Sequence, residues 1–215
     1  MCWNKDISLN TFLFSMFVLL LIIYNNKYTK YKIQELNNFW IYMFFISFIL
    51  IQLVEYFIWL NIKNPYYNNV FTIVAQLILL VQPIASLMLL NDYTIRKWML
   101  SIYLLGMIPF AIYQFFTIHL YSSVTQDGHL RWHLFEPNTP IVFFIWLFFF
   151  LFSMFYNGYY FGFLFGLITL IITIYNYSQD QSVSSMWCWI VNSVMIYYAA
   201  YLIIYLPFCE KKKLC

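Results

Sequence analysis

Residues 141–175 read IVFFIWLFFFLFSMFYNGYYFGFLFGLITLIITIY, a nearly continuous apolar run with Asn157-Gly158 at its middle. As one helix this stretch would be about 52 Å long at 1.5 Å per residue, well beyond the roughly 30 Å of bilayer hydrocarbon. An Asn-Gly pair is a turn signal, so the run predicts a tight helical hairpin with spans over 140–156 and 160–177. Five more apolar runs on either side have spanning length, at 8–24, 39–60, 70–90, 97–118 and 185–206. The expected fold is therefore all-α: a polytopic membrane protein of seven transmembrane helices, one domain over residues 1–215.

Charge placement supports the hairpin. With seven spans, Lys27, Lys30, Lys32, Arg96, Lys97, Lys211, Lys212 and Lys213 share one side, and only Lys5, Lys63 and Arg131 the other. With six spans the split falls to six against five and the bias vanishes. The positive-inside rule then puts the N-terminus outside or lumenal and the C-terminus in the cytosol. No small-residue cleavage site follows Tyr24, so the first span reads as retained. Trp3, Trp40, Trp59, Trp98, Trp132 and Trp187 fall near span ends, where indole rings favour the headgroup region. Hydrophobic residues make up 64% of the chain and charged ones 9%, which leaves no soluble domain and no basic footprint for nucleic acid.

Several seven-span classes are excluded by missing residues. The last span has no lysine for a retinal Schiff base. No acidic-Arg pair ends the third span and no Asn-Pro-x-x-Tyr the seventh, as receptor signatures require. No internal repeat points to a two-repeat transporter, and His119, His129 and His133 lie at or beyond a span end, unlike the metal ligands of membrane ceramidase-like hydrolases.

The opening Met1-Cys2-Trp3, the second-span string from Ile51 to Leu60, Gln82-Pro83, and Ser185-Met186-Trp187-Cys188 together resemble an uncharacterised multipass family of bacteria and large DNA viruses that opens with Met-Cys-aromatic. The resemblance implies a multipass fold and no particular activity. The long aromatic spans and basic tail look more like its viral or eukaryotic members, which would place the chain in a host membrane.

Intramembrane polar groups carry the functional expectation, because each costs free energy unless paired. Glu55 is the one carboxylate inside a span, about 8 Å below the outer boundary at 1.5 Å per residue. Asn10, Gln52, Gln76, Gln114, Asn176, Cys188 and Asn192 also fall in the outer half, with Gln82 their main inner counterpart. This asymmetry predicts an outward-facing polar cavity around Glu55, with Gln52, Gln76, Gln114 and Asn192 as ligand-binding neighbours. Pro83 and Pro109 interrupt spans and free backbone carbonyls of the preceding turn.

Other features are read separately. Cys2 and Cys188 map to the outer face and form a disulfide candidate. His129 and His133, spaced i, i+4 between the turn signals Asp127-Gly128 and Glu136-Pro137, would share one face of a short helix and are weak metal candidates. Gly158, Gly162 and Gly166 form a stripe suited to close helix packing or, in a second reading, to a homodimer. Lys212 and Lys213, third and fourth from the end, match a dilysine retrieval signal of the endoplasmic reticulum, and Cys209 and Cys215 flank this patch as palmitoylation candidates. The expected function is a small-solute or lipid carrier or binder without cofactor, partnered by the bilayer. The alternatives are a membrane-embedded hydrolase or oxidoreductase using the outer Cys and His residues, or a membrane-remodelling scaffold. The chain shows no nucleophile–base pair, phosphate loop or intramembrane acidic pair, which weakens the enzyme reading.

Overall fold

Four helices start where an Asn or Asp can accept from otherwise orphaned amides of the first turn. Asn4 accepts from Asp6 and Ile7 and opens α1 (Lys5–Tyr28); Asn38 accepts from Trp40 and opens α2 (Phe39–Leu60). Asn64, followed by Pro65 in the first turn, opens α3 (Pro65–Leu87), and Asp92 opens α4 (Tyr93–Thr117). The computed structural model describes residues 4–134 and 140–212. Among the described residues six helical segments, the run Val183–Cys209 taken as one, are long and apolar enough to cross a membrane, which makes the chain a polytopic helical membrane protein. α5 (Pro140–Tyr156) is a shorter apolar helix, and α6 (Tyr160–Tyr177) follows the expected break, where Gly158 takes a φ of +78°. That left-handed conformation suits Gly.

Side-chain contacts fix the relative directions of the helices. Tyr103 Oη donates to Leu80 O and Gln76 Nε2 to Gln114 Oε1, so α4 runs antiparallel to α3. Trp146 Nε1 donates to Leu79 O, and Ser86 Oγ to Phe150 O, so α5 runs parallel to α3. On α6, a Cβ at Gly162 would lie 3.3 Å from Met154 Sδ and one at Gly166 3.1 Å from Leu151 Cδ2, which makes α5 and α6 antiparallel and closely packed. The glycine stripe thus faces inward at Gly162 and Gly166. Ser185 bonds Glu55 while Asn192 reaches Phe48 O, so the final helical segment is antiparallel to α2.

Pro83 shows how a sequence feature becomes packing. It has no N–H to bond the Leu79 carbonyl one turn back. Trp146 Nε1 supplies the missing donor at 2.6 Å, and the neighbouring Leu80 carbonyl takes the Tyr103 hydroxyl at 2.8 Å. The proline therefore ties α3 to both α5 and α4. Trp146 also stacks on Phe150 and meets the edge of Trp187. Trp187 is buried and donates to Thr169 Oγ1 at 3.1 Å; contrary to expectation it sits in the protein core, because its face of the helix, rather than its closeness to a span end, decides its surroundings.

The chain beyond Ser182 departs from one regular helix. α7 (Val183–Val191) ends where the Asn192 side chain donates back to Cys188 O at 2.8 Å, competing with the helical ladder. Tight i→i+3 bonds at Asn192, Ser193, Met195 and Ile196 follow. α8 (Val194–Ala200), a π-helical turn (Tyr201–Tyr205) and α9 (Leu206–Lys212) complete it.

The loop after α4 carries two strands, β1 (Tyr121–Val124) and β2 (Leu130–His133), in an antiparallel hairpin. Its turn is a Thr125–Gly128 β-turn whose last residue, Gly128, has a φ of +80°, a left-handed conformation that suits Gly. The expected short helix through His129 and His133 is therefore not formed, while the fold as a whole is helical as expected, with this small hairpin in the loop after α4. The large apolar side chains left exposed, such as Leu105 at 78% and Phe116 at 87%, are what a lipid-facing surface requires.

Candidate functional site

The polar residues of the hairpin half are drawn into hydrogen bonds between helices. Glu55 is fully buried: its Oε1 accepts from Ser185 Oγ at 2.6 Å and its Oε2 from Gln52 Nε2 at 2.8 Å. Gln76 and Gln114 bond each other, and Gln114 Nε2 donates to Leu134 O at 2.6 Å beneath the hairpin. Asn192 holds Cys188 O and Phe48 O. Glu55, Gln52, Gln76, Gln114 and Asn192 are all buried, and none lines a cavity described below. They form interhelical seams, α2 to α7 and α3 to α4, in the half where the sequence places them.

The hairpin is fastened to the bundle from below. The Asn68 amide pairs with both backbone groups of Ser122, at 2.8 and 2.9 Å, and Asn69 Nδ2 donates to Leu120 O. His129 Nδ1 lies 2.5 Å from Asp180 Oδ2 in the α6–α7 turn, while His133 Nε2 meets Ser123 Oγ and its ring stacks on Tyr121. Four residues along extended chain separate the two histidines by about 13 Å, so they are not presented together to one ion. Among the described residues no cluster of three His, Cys, Asp or Glu could hold a metal. Burial raises the Asp180 pKa, but hydrogen bonds from Ser182 and His129 outweigh it and hold the carboxyl below the usual range. A polar groove of about 470 Å³ lies beside this turn, with Asp127, Arg131 and Asp180 in its lining.

Cys188 is a buried free thiol, so the expected bond to Cys2 is not made; Cys2, Lys213 and Cys215 lie outside the described residues. Cys209 is disulfide-bonded and thus not the acylation site the tail motif implied.

A second cleft opens at the opposite, lysine-rich pole. An apolar cleft of about 450 Å³ has Ile41, Phe44, Phe45 and Phe48 of α2 on one wall. Tyr160, Phe161, Gly162, Phe165 and Gly166 of α6 form another, with Phe150, Leu151 and Met154 of α5 and Val191, Val194 and Tyr198 of the last segment between them. The span from Ile41 to Phe48 makes it about 10 Å deep at 1.5 Å per residue. The glycines keep the α6 wall low, and the aromatic wall is braced by Phe44 against Phe150 and Phe45 against Tyr198. Tyr160 and Phe161 are also exposed on the bundle surface, so the cleft borders the lipid-facing side.

Glu35, Leu36, Leu89 and Asn157 line the cleft at the pole. Asn26 positions the loop that carries Glu35: its Oδ1 accepts from Ile33 N at 2.7 Å and its Nδ2 donates to Tyr42 Oη at 3.0 Å. A short 3₁₀ turn (Gln34–Leu36) then buries Leu36 and leaves Glu35 exposed. Asn157 is occupied with Leu89 O and Asn91 N. Sequence patterns alone do not single out Glu35; its one signal is that of a lone acid between two spans, in a stretch that otherwise carries Lys27 at the end of α1 and Lys30 and Lys32 in the loop. No family model, curated protein or solved structure matches this chain.

Proposed function

We propose that this chain is a seven-span integral membrane protein, N-terminus outside or lumenal and C-terminus cytosolic, that binds an apolar, lipid-like molecule in the aromatic cleft at its lysine-rich pole. The cleft is the observation that carries this reading. Its volume is within the roughly 300–1,000 Å³ of small-molecule sites, and its walls are apolar and aromatic, as such sites are. The alternating helix directions and the eight-to-three charge split support the seven crossings. The ligand class is the one expected from the sequence, but the place moves from Glu55, whose hydrogen bonds account for its burial, to the opposite half. The separate engagement of His129 and His133 leaves the enzyme alternative with less support, and the resemblance to a Met-Cys-aromatic family carries no activity across.

The test is equilibrium binding of a fluorescent single-chain lipid probe to the full chain in nanodiscs. Val194→Phe, which fills the cleft, should weaken binding several-fold, and Phe44→Ala, which enlarges it, should shift preference toward longer chains. Indifference to both changes would sink the proposal. For location, Lys212 and Lys213 favour the endoplasmic reticulum or another host membrane. Exchanging both for serine should release a eukaryotically expressed protein from the reticulum; unchanged residence would reduce them to topology anchors.

A further inference from the structure

A hydrocarbon chain moving from the bilayer into this cleft exchanges one apolar surrounding for another, so the chain alone gives little selectivity. Discrimination has to come from the head, and among the described residues the cleft has one charged lining residue, Glu35. Its carboxylate has no hydrogen-bond or ion-pair partner among the described residues. Among the described residues no lysine or arginine lines the cleft, although the surrounding pole is basic; Lys27 lies over the Tyr28 ring and Lys30 over the Tyr31 ring. The Asn157 amide is already committed to the neighbouring loop. An anionic head would therefore meet a carboxylate at the rim, whereas a protonated amine would be complementary to it.

Size limits the tail. The cleft's volume of about 450 Å³ is toward the low end of the roughly 300–1,000 Å³ of small-molecule sites, which suits one hydrocarbon chain better than two. We infer that the occupant is a single-chain amphiphile with a protonated amine head, its tail among the α2 and α6 aromatics and its ammonium at Glu35. This rests on the cleft reading and adds the ligand's chemistry to it.

The experiment is competition binding in nanodiscs with a long-chain amine, alcohol and carboxylic acid of equal chain length, together with a diacyl aminophospholipid. Because Glu35 is exposed, the amine should be favoured over the alcohol by only about two- to fivefold. It should also compete better than the two-chain aminophospholipid. Glu35→Gln should remove the amine preference with alcohol binding unchanged, and Glu35→Lys should turn it toward the acid. Equal binding of all heads by the wild type, or a preference that survives Glu35→Gln, overturns the head assignment and leaves the cleft intact. Better competition by the diacyl lipid overturns the single-chain assignment. Binding that ignores Val194→Phe instead brings down the cleft reading beneath it.

Discussion

Replacing Glu55 by leucine separates a seam from a solute site. In the structure the carboxylate accepts from Ser185 Oγ and Gln52 Nε2, joining α2 to α7 deep in the bundle. Glu55→Leu removes both acceptors and with them both of these buried hydrogen bonds. Interhelical hydrogen bonds in membranes average about 0.6 kcal/mol and reach about 1.7, so the two together predict a loss of about 1–3 kcal/mol. Glu55→Gln should cost less than about 1 kcal/mol by the same measure. The new amide can accept from Ser185, and Gln52 Oε1, buried without a partner, can turn to accept its N–H. Equilibrium unfolding in mixed micelles measures both, and a cycle with Ser185→Ala isolates the α2–α7 bond. Stability of Glu55→Leu equal to wild type, or additivity of Glu55→Leu with Ser185→Ala, would refute the seam.

The remaining expectations concern other parts of the bundle. Trp146→Phe keeps the ring but leaves the Leu79 carbonyl freed by Pro83 buried without its donor, so stability should fall by about 1–3 kcal/mol in the same unfolding assay; an unchanged midpoint would show the bond to be dispensable. Asp180, with its pKa held low, contributes stability that is complete above the unfolded-state value near 3.8 and is lost as pH falls through the lower folded value. Thermal unfolding should thus show an acid-side loss below about pH 4 that is smaller in Asp180→Asn, and identical profiles would mean that the His129–Asp180 tie adds nothing to stability. A tag after Cys215 should be cytosolic and one before Met1 should not; protease protection of both on the same side would mean an even number of crossings.

The break in the long apolar run was legible because hydrocarbon thickness is a length rule: the run from Ile141 to Tyr175 is too long for one crossing, and the chain turns at Asn157-Gly158 as that rule demands. That Glu55 sits within an apolar helix was legible from its place in the run from Phe39 to Leu60. Its partner was not, since Ser185 is 130 residues away in sequence and their meeting depends on which helix faces pack. Span position misassigned Trp187 for want of the same facing information. The hairpin did carry a local signal, Asp127-Gly128 between short runs of strand-compatible residues, but the i, i+4 histidines drew the reading to a helix. The cleft is space left between four helical segments and has no motif, so only the inward glycines and the single acid among lysines foreshadowed it.

Photocrosslinking tests the central claim directly and does not require the natural ligand. A single-chain amine carrying a diazirine at its tail would be activated with the full chain in nanodiscs and the labelled residues mapped by mass spectrometry. Labels should concentrate on Phe44, Phe48, Phe165 and Val194, which line the cleft, and should be lost in Val194→Phe. Labels spread over lipid-facing residues such as Leu105, Ile108 and Phe116, unchanged by that substitution, would contradict binding in the cleft.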